Sequence, residues 1–491
     1  VSKKVIVIGS GFAGISVAAN LAKSGFSVTV LEKNEQPGGR ARSFESNGFL
    51  FDMGPSWYWM PEVFENFYQS FKKKASDYYN LIRLDPSYRV YFGEKDFLDI
   101  PAKMEELENL FEQLEPGSSK NLKKFISESA YKYEVGMRDL VHKPAKSILE
   151  FADLRLLKGM LKMHVFQSIS NYIKKYFSHP RLIQLLEFPV LFLGATPWKT
   201  PALYSLMNYA DMALGTWYPM GGMHNIVKAM KDIAEEQGVV FKTGINVEAI
   251  KSEGRNVKGV FAGDHFYEAD IVVGGADYHH IDQHLLAPNV RMYSDDYWQK
   301  RVMAPSSLIF YLGVNKKIEG LQHHNLFFDQ DFVEHAKEIY ESPKWPENPL
   351  FYVCCPSKTD PSVAPEGKEN LFILVPVAPD LEDNEEIREH YYNMVIGRLE
   401  KIIGQKIKED IIYKRSFAHK DFISDYNAFK GNAYGLANTL RQTAILKPAL
   451  KNKKLNNLFY TGQLTVPGPG VPPSIISGQV VAKEINKAFK A

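Results

Sequence analysis

The chain has 491 residues, 45% of them hydrophobic, and a formal net charge of +2. That length supports two or three domains with real cores, and so small a charge gives no field strong enough to hold nucleic acid. The two cysteines, Cys354 and Cys355, are adjacent; they exclude an ordinary disulfide between them, offer no metal-ligand spacing and suit a reducing cytoplasm.

The first predicted element is the strand Val5–Ile8, four β-prone apolar residues that run into Gly9, Gly11 and Gly14 at the spacing G-x-G-x-x-G. A small-residue helix follows, with Ala13, Ala18, Ala19, Leu21 and Ala22; Gly25 stops it, and a strand, Phe26–Leu31, ends at Glu32. Strand, glycine turn, helix, strand and acid form the unit of a dinucleotide fold. Gly9 makes the turn, Gly11 admits a pyrophosphate against the backbone and Gly14 lets helix and strand close up. The N–H groups at the helix start, among Ser10, Phe12 and Ala13, then face a doubly charged group. Glu32, followed by Lys33, can accept both ribose hydroxyls and would repel a 2′-phosphate, which favours FAD or NAD over NADP. The alternative, a signal peptide opened by Lys3-Lys4, conflicts with three glycines in its apolar region.

Next come Gly38, Gly39, Arg40, Ala41 and Arg42, flexible backbone donors beside a guanidinium fork, a second phosphate clasp. Gly48–Ser56 reads as a short strand entering a tight turn at Gly54, Pro55 and Ser56. The glycine motif, the acid, GGRARS and FDMGPS at these separations resemble the N-terminus of the FAD-dependent amine oxidase and phytoene desaturase superfamily. That resemblance implies tightly held FAD rather than a diffusing NAD, and the absence of cysteine from the closing motif makes it non-covalent there.

From Pro61 to Tyr209 amphipathic helical patterns dominate, as in Met104–Leu114 and Lys120–Tyr133. Between Phe151 and Phe177, Leu154, Leu157, Met160, Leu161, Phe166, Ile169 and Ile173 interleave with Arg155, Lys158, Lys162, Lys174 and Lys175. Such a stretch fits either an anionic membrane surface or a packed helix with a solvated lysine face. Phe188–Trp198 carries no charge and reads as a buried helix end or the mouth of an apolar tunnel. A glycine-rich turn at Gly221-Gly222 then leads to the helix Asn225–Gln237, the strand Val239–Thr243 and a hairpin around Gly254–Asn256. The resemblance implies that Val247 receives the adenine edge through its backbone, and that the segment Ala269–Val273 is another strand of the first sheet.

Val302–Asn315 is expected to be a central strand of a second sheet. Pro356–Gly367, P-S-K-T-D-P-S-V-A-P-E-G, followed by a strand at Leu371–Val375, is similar to the bacterial-type phytoene desaturases and narrows the resemblance to carotenoid-processing members. The chain closes with Gly462, Gln463, the turn Thr465–Ser474 containing Gly470, Val471 and Pro472, and a helix over Ile475–Lys490. In the resembled family this closing helix points at the flavin ring. Thr465-Val466 and Pro472-Pro473-Ser474 depart from the phytoene-type pattern toward the branch that desaturates the 3,4-bond of carotenoids.

The expected architecture is α/β: a discontinuous Rossmann-like FAD-binding domain (1–65, 211–285 and 455–491), a largely helical membrane-facing region (66–210) and an α+β substrate domain (286–454). No transmembrane span is expected, because the longest uncharged run, Leu455–Ala482, contains four prolines. The pairs His279-His280 and His323-His324 read as incidental surface or lining residues, since neighbours in a strand point to opposite sides. No Ser/His/Asp set and no clustered Cys/His ligands are visible, so no metal and no catalytic residue is assigned. The resemblance implies desaturation of a carotenoid substrate by hydride transfer to flavin, with lean to the 3,4-bond of γ-carotene or a hydroxylated derivative. The terminal electron acceptor, oxygen or quinone, is left open. The expected location is cytoplasmic, peripheral on the inner membrane face. Competing readings are a phytoene desaturase, a carotenoid isomerase or retinoid saturase, and a flavin-free prenyl-binding escort protein.

Overall fold

The computed structural model describes residues 2–147, 150 and 167–490. Its first sheet is parallel, in the order Leu458–Tyr460, Ile271–Gly274, Lys4–Ile8, Ser27–Leu31, Val240–Lys242. Strands from three distant stretches of chain therefore lie side by side, with Val5 opposite both Val28 and Ile271. Val5–Ile8 are all buried, as a parallel strand covered on both faces requires. Val5 and Val7 point into a core shared with the helices Phe12–Lys23, His224–Glu236 and Val471–Phe489. Ile6 and Ile8 point the other way, into a core shared with the antiparallel strands Ala249–Glu253, Asn256–Ala262 and His265–Glu268.

The second sheet has seven strands, in the order Ile411–Phe417, Ser306–Val314, Glu369–Val377, Phe351–Cys354, His324–Phe327, Tyr88–Gly93, Asp96–Ile100. Ser306–Val314 is buried along its whole length but lies second from one edge rather than at the centre. One of its faces packs Leu308, Phe310 and Leu312 against Val395 and Leu399 of the helix Glu385–Ile403. Asn384 caps that helix by accepting the Ile387 N–H at 2.9 Å.

The region 66–210, expected to be largely helical, also carries the strands Tyr88–Gly93 and Asp96–Ile100, which complete the second sheet. Their hairpin turns through Glu94-Lys95, with Lys95 at φ 55°, and those two residues carry no turn signal of their own. A membrane-facing helical layer is not shown. Residues 151–166, and with them most of the basic amphipathic stretch, lie outside the described residues. The end of that stretch packs inward, with Ile169, Tyr172, Ile173 and Phe177 buried beside Phe125. Phe188 and Val190 are buried at the start of a 3₁₀ turn, so the uncharged run begins as a buried helix end. Among the described residues no helix is long and apolar enough to cross a membrane.

Candidate functional site

The strand Lys4–Ile8 ends on Gly9, whose φ of 93° turns the chain and whose N–H donates to the Leu31 carbonyl at 2.8 Å. The three glycines divide the work by what surrounds them. A methyl on Gly14 would lie 2.1 Å from the Gly9 carbonyl oxygen, so helix and strand meet backbone to backbone. A methyl on Gly11 would meet no protein atom within 4 Å, because that face is open. The helix Phe12–Lys23 starts without a capping side chain, leaving first-turn N–H groups at the opening.

Glu32 is buried and ties the turn together. One carboxylate oxygen accepts from the N–H and hydroxyl of Ser10 at 2.8 and 2.6 Å. The other accepts from the backbone and side-chain nitrogens of Asn34 at 2.9 and 3.0 Å. Gly38 donates to the Ser10 carbonyl at 2.9 Å, and Gly39, at φ 55°, packs against the Gly11 backbone. Arg40 is held by the Asn432 carbonyl at 3.1 Å and by the ring of Tyr426, while its Nε is buried without a partner. Burial pulls the Arg40 guanidinium down from its ordinary value, against the charge of Asp277. Arg42, the second arginine of the clasp, is committed elsewhere, paired with Asp425 and Tyr426.

These elements open onto one cavity of about 390 Å³. Its polar end is lined by Gly9, Ser10, Gly11, Phe12, Ala13, Glu32, Lys33, Gly38, Arg40 and Val247. Gly54, Pro55, Ser56, Gly462, Gln463, Gly470, Val471 and Pro472 continue it. Of the turn and clasp positions singled out from the sequence, Gly14, Gly39, Ala41 and Arg42 do not line it. Gly14 and Gly39 support the turn from behind, and the Ala41 carbonyl meets His224 Nδ1 at 2.8 Å.

Sequence reasoning missed the far end, where Trp57, Trp59, Met60, Met207, Ile309, Tyr352, Leu374 and Tyr434 form an apolar and aromatic wall. The chain is 13% aromatic, and that share does not say which rings line it. The closing helix also differs from expectation. It begins at Val471 rather than Ile475, since proline is tolerated in a first turn. Pro472 and Pro473 lack N–H groups, and Ser474 N donates to the Gly470 carbonyl at 3.1 Å, so this helix offers a weaker positive pole than a proline-free one.

Both histidine pairs depart from the strand reading. His279 and His280 lie in helical backbone, half-buried, and His280 lines the cavity. Burial and the neighbouring His284 hold both near a pKa of about 4, neutral at pH 7. His324 opens the strand His324–Phe327 and His323 precedes it, so strand alternation does not separate them. Their rings lie 4.5 Å apart, both buried, and together with Cys354 they form a cluster of potential ligand atoms that the sequence did not disclose.

Comparison with known proteins places this geometry. A family model described as flavin containing amine oxidoreductase matches residues 12–486. The carotenoid 3,4-desaturase of Haloarcula japonica is 41% identical over 484 residues, covering 98% of this chain and 97% of its own. The zeta-carotene-forming phytoene desaturase of Myxococcus xanthus is 31% identical over 491 residues, covering 98% and 94%. Among solved structures, an oxidoreductase from Methanosarcina mazei superposes with a TM-score of 0.66 at 19% identity, over 98% of this chain and 100% of that one. Cyclohexylamine oxidase from Brevibacterium oxydans gives 0.59 at 15% identity, over 99% and 100%; at such identities the likeness concerns fold alone.

Proposed function

The chain belongs to the flavin containing amine oxidoreductase family, in its carotenoid-desaturase branch, and from that premise we propose that it desaturates the 3,4-bond of a carotene end group. It is an FAD-dependent oxidoreductase and a carotenoid desaturase; the bond and the substrate, γ-carotene or a hydroxylated derivative, are the finer reading. The observation that carries it is the 41% identity along nearly the whole length of a carotenoid 3,4-desaturase. The cavity suits it, with a backbone-lined polar end and an aromatic end in one continuous space.

The residues present fit FAD. Gly11 leaves open space where a side chain would stand, and Arg40 Nε is a buried donor still without an acceptor. Gly9–Ala13 would hold the pyrophosphate, Arg40 would add a charge-assisted bond, and Val247 would take the adenine edge. Glu32 already accepts four bonds, as many as its lone pairs allow, so a ribose would displace the Ser10 hydroxyl or the Asn34 side chain. FAD when bound supplies the two-electron acceptor. The substrate loses a hydride from one carbon and a proton from its neighbour, and the polyene spreads the positive charge between those events. The task left to Trp57, Trp59, Met207, Ile309 and Leu374 is to orient the chain and exclude water.

The protein works at the cytoplasmic membrane surface, attached peripherally, since so apolar a substrate partitions into lipid; its reduced flavin is reoxidised by oxygen or a quinone. Supporting this, Val302, Ile445 and Leu446 are exposed apolar side chains on segments that Gln442 joins through both backbone groups of Val302. Pelleting with anionic vesicles tests attachment; protein left wholly in the supernatant contradicts it.

Expression in bacteria that accumulate phytoene, lycopene or γ-carotene tests the substrate. The expected result is a lengthened chromophore in the γ-carotene strain. Conversion of phytoene to lycopene with γ-carotene untouched would favour the phytoene reading, and altered double-bond geometry alone would favour an isomerase.

A further inference from the structure

Behind the aromatic wall, His324 and Cys354 are directly opposed residues of paired antiparallel strands, which puts both side chains on one face of the sheet. His323 joins them from just outside the strand. One ring nitrogen of each histidine and the Cys354 sulfur lie within 4.8 Å of one another, and all three residues are buried.

The hydrogen bonding around the cluster is half complete. His323 Nδ1 meets the Thr359 hydroxyl at 2.8 Å, and His324 Nδ1 meets the Tyr352 hydroxyl at 2.6 Å. Tyr352 in turn donates to Ser56 Oγ at 3.0 Å, so its oxygen accepts from His324, whose proton is thereby placed on Nδ1. Nε2 of both rings is buried with no partner. A buried ring nitrogen without a protein partner is costly, and two in one cluster call for a bound group, a cation or a water, between them. An Nδ1 anchored to a polar neighbour with Nε2 free is also how proteins orient a metal-binding imidazole. A void of about 20 Å³, room for one water, adjoins His323 and Cys354 and is also lined by Asp52 and Ser56.

We propose that His323, His324 and Cys354 bind one zinc-class divalent cation, with the small void completing its coordination. Two imidazoles and a thiolate are the ligand types that Zn²⁺ takes, and a water in the void is the natural fourth. Binding deprotonates the Cys354 thiol, the proton leaving to solvent, while Asp52 and Asp360 contribute negative potential. The role is structural. His324 stacks on Trp57 at 4.1 Å with the rings 8° from parallel, so the cation would fix the wall of the cavity from behind.

The test uses the full-length holoprotein, produced with zinc or with cobalt in the medium and exchanged into chelator-treated buffer. Elemental analysis should find about one zinc per chain, falling at least tenfold in Cys354→Ser and in His324→Gln, with bound flavin reporting that each variant has folded. Should either variant fail to fold, the wild-type cobalt form decides. It should show thiolate-to-cobalt charge transfer and tetrahedral ligand-field bands to the red of the flavin absorption. Folded wild-type protein with under a tenth of an equivalent of metal and no cobalt bands would leave the two nitrogens to a buried water and overturn the proposal. Copper or iron in place of zinc would overturn the cation assignment, and zinc retained in both folded variants would overturn the ligand set. None of these readouts depends on which carotenoid is desaturated.

Discussion

The two ends of the cavity are built on different principles. At the polar end the contacts are main chain: Gly14 lies under the Gly9 carbonyl, Gly39 against Gly11, and Glu32 accepts the Ser10 and Asn34 N–H groups. At the other end the contacts are side chain on side chain, with Trp57 packed among Trp59, Tyr88, Phe188, His324 and Tyr352. A main-chain contact admits few residue types, so it leaves a motif with fixed spacing. An aromatic wall can be filled by many residues if volume is kept, so it leaves none.

The largest effect that separates the ends is expected at Gly14. Gly14→Ala drives a methyl into a carbonyl oxygen that cannot move, at a cost above the ~1–3 kcal/mol of ordinary overpacking. Chemical denaturation should show a strongly destabilised protein without flavin; a variant of wild-type stability would contradict the backbone-to-backbone contact.

Next is Glu32→Ala, which removes an acceptor from four donors. Flavin affinity should fall by about 1.5–3 kcal/mol, roughly ten- to a hundredfold, read by fluorescence titration. An unchanged affinity would confine Glu32 to holding the loop.

Asp52 lies behind the aromatic end, beside the void that His323 and Cys354 line, and accepts the Met223 and His224 N–H groups at 2.7 and 3.0 Å. Burial outweighs those bonds and raises its pKa from 3.8 to about 6. A carboxyl raised on folding gives stability that is full below about pH 4 and lost as pH rises through about 6. The stability of the wild type relative to Asp52→Asn should therefore fall by up to ~3 kcal/mol between pH 4 and 7. A pH-independent difference would show that the backbone bonds cancel the burial.

The smallest effect on stability is expected at Gly11, where an added methyl meets no protein atom. Gly11→Ala should keep wild-type stability within about 0.5 kcal/mol while flavin affinity falls at least about tenfold. Loss of both together would erase the distinction drawn between Gly11 and Gly14.

The legibility of the sequence divides along the same line. The glycine turn, Glu32, the second clasp and the closing turn were visible because each answers a backbone demand, and most of those residues line the cavity. The strand pair at 88–100 was hidden because the two central residues of its turn, Glu94 and Lys95, carry no turn signal. The start of the closing helix was misplaced because Pro472-Pro473 looks like a break but suits a first turn. The His323–His324–Cys354 cluster was invisible for a further reason. Cys354 faces His324 through a strand register, and His323 escapes alternation by lying outside the strand, neither of which local spacing encodes.

The central claim is 3,4-desaturation of a carotene end group with electrons passing to bound flavin. An anaerobic single-turnover experiment tests it most directly, mixing the oxidised holoenzyme with vesicles carrying γ-carotene and following flavin and pigment absorption together. The account predicts that the oxidised flavin band bleaches as the pigment spectrum moves to the red, one reduced flavin for each double bond formed. A pigment that stays unchanged, or changes geometry while the flavin stays oxidised, would contradict it.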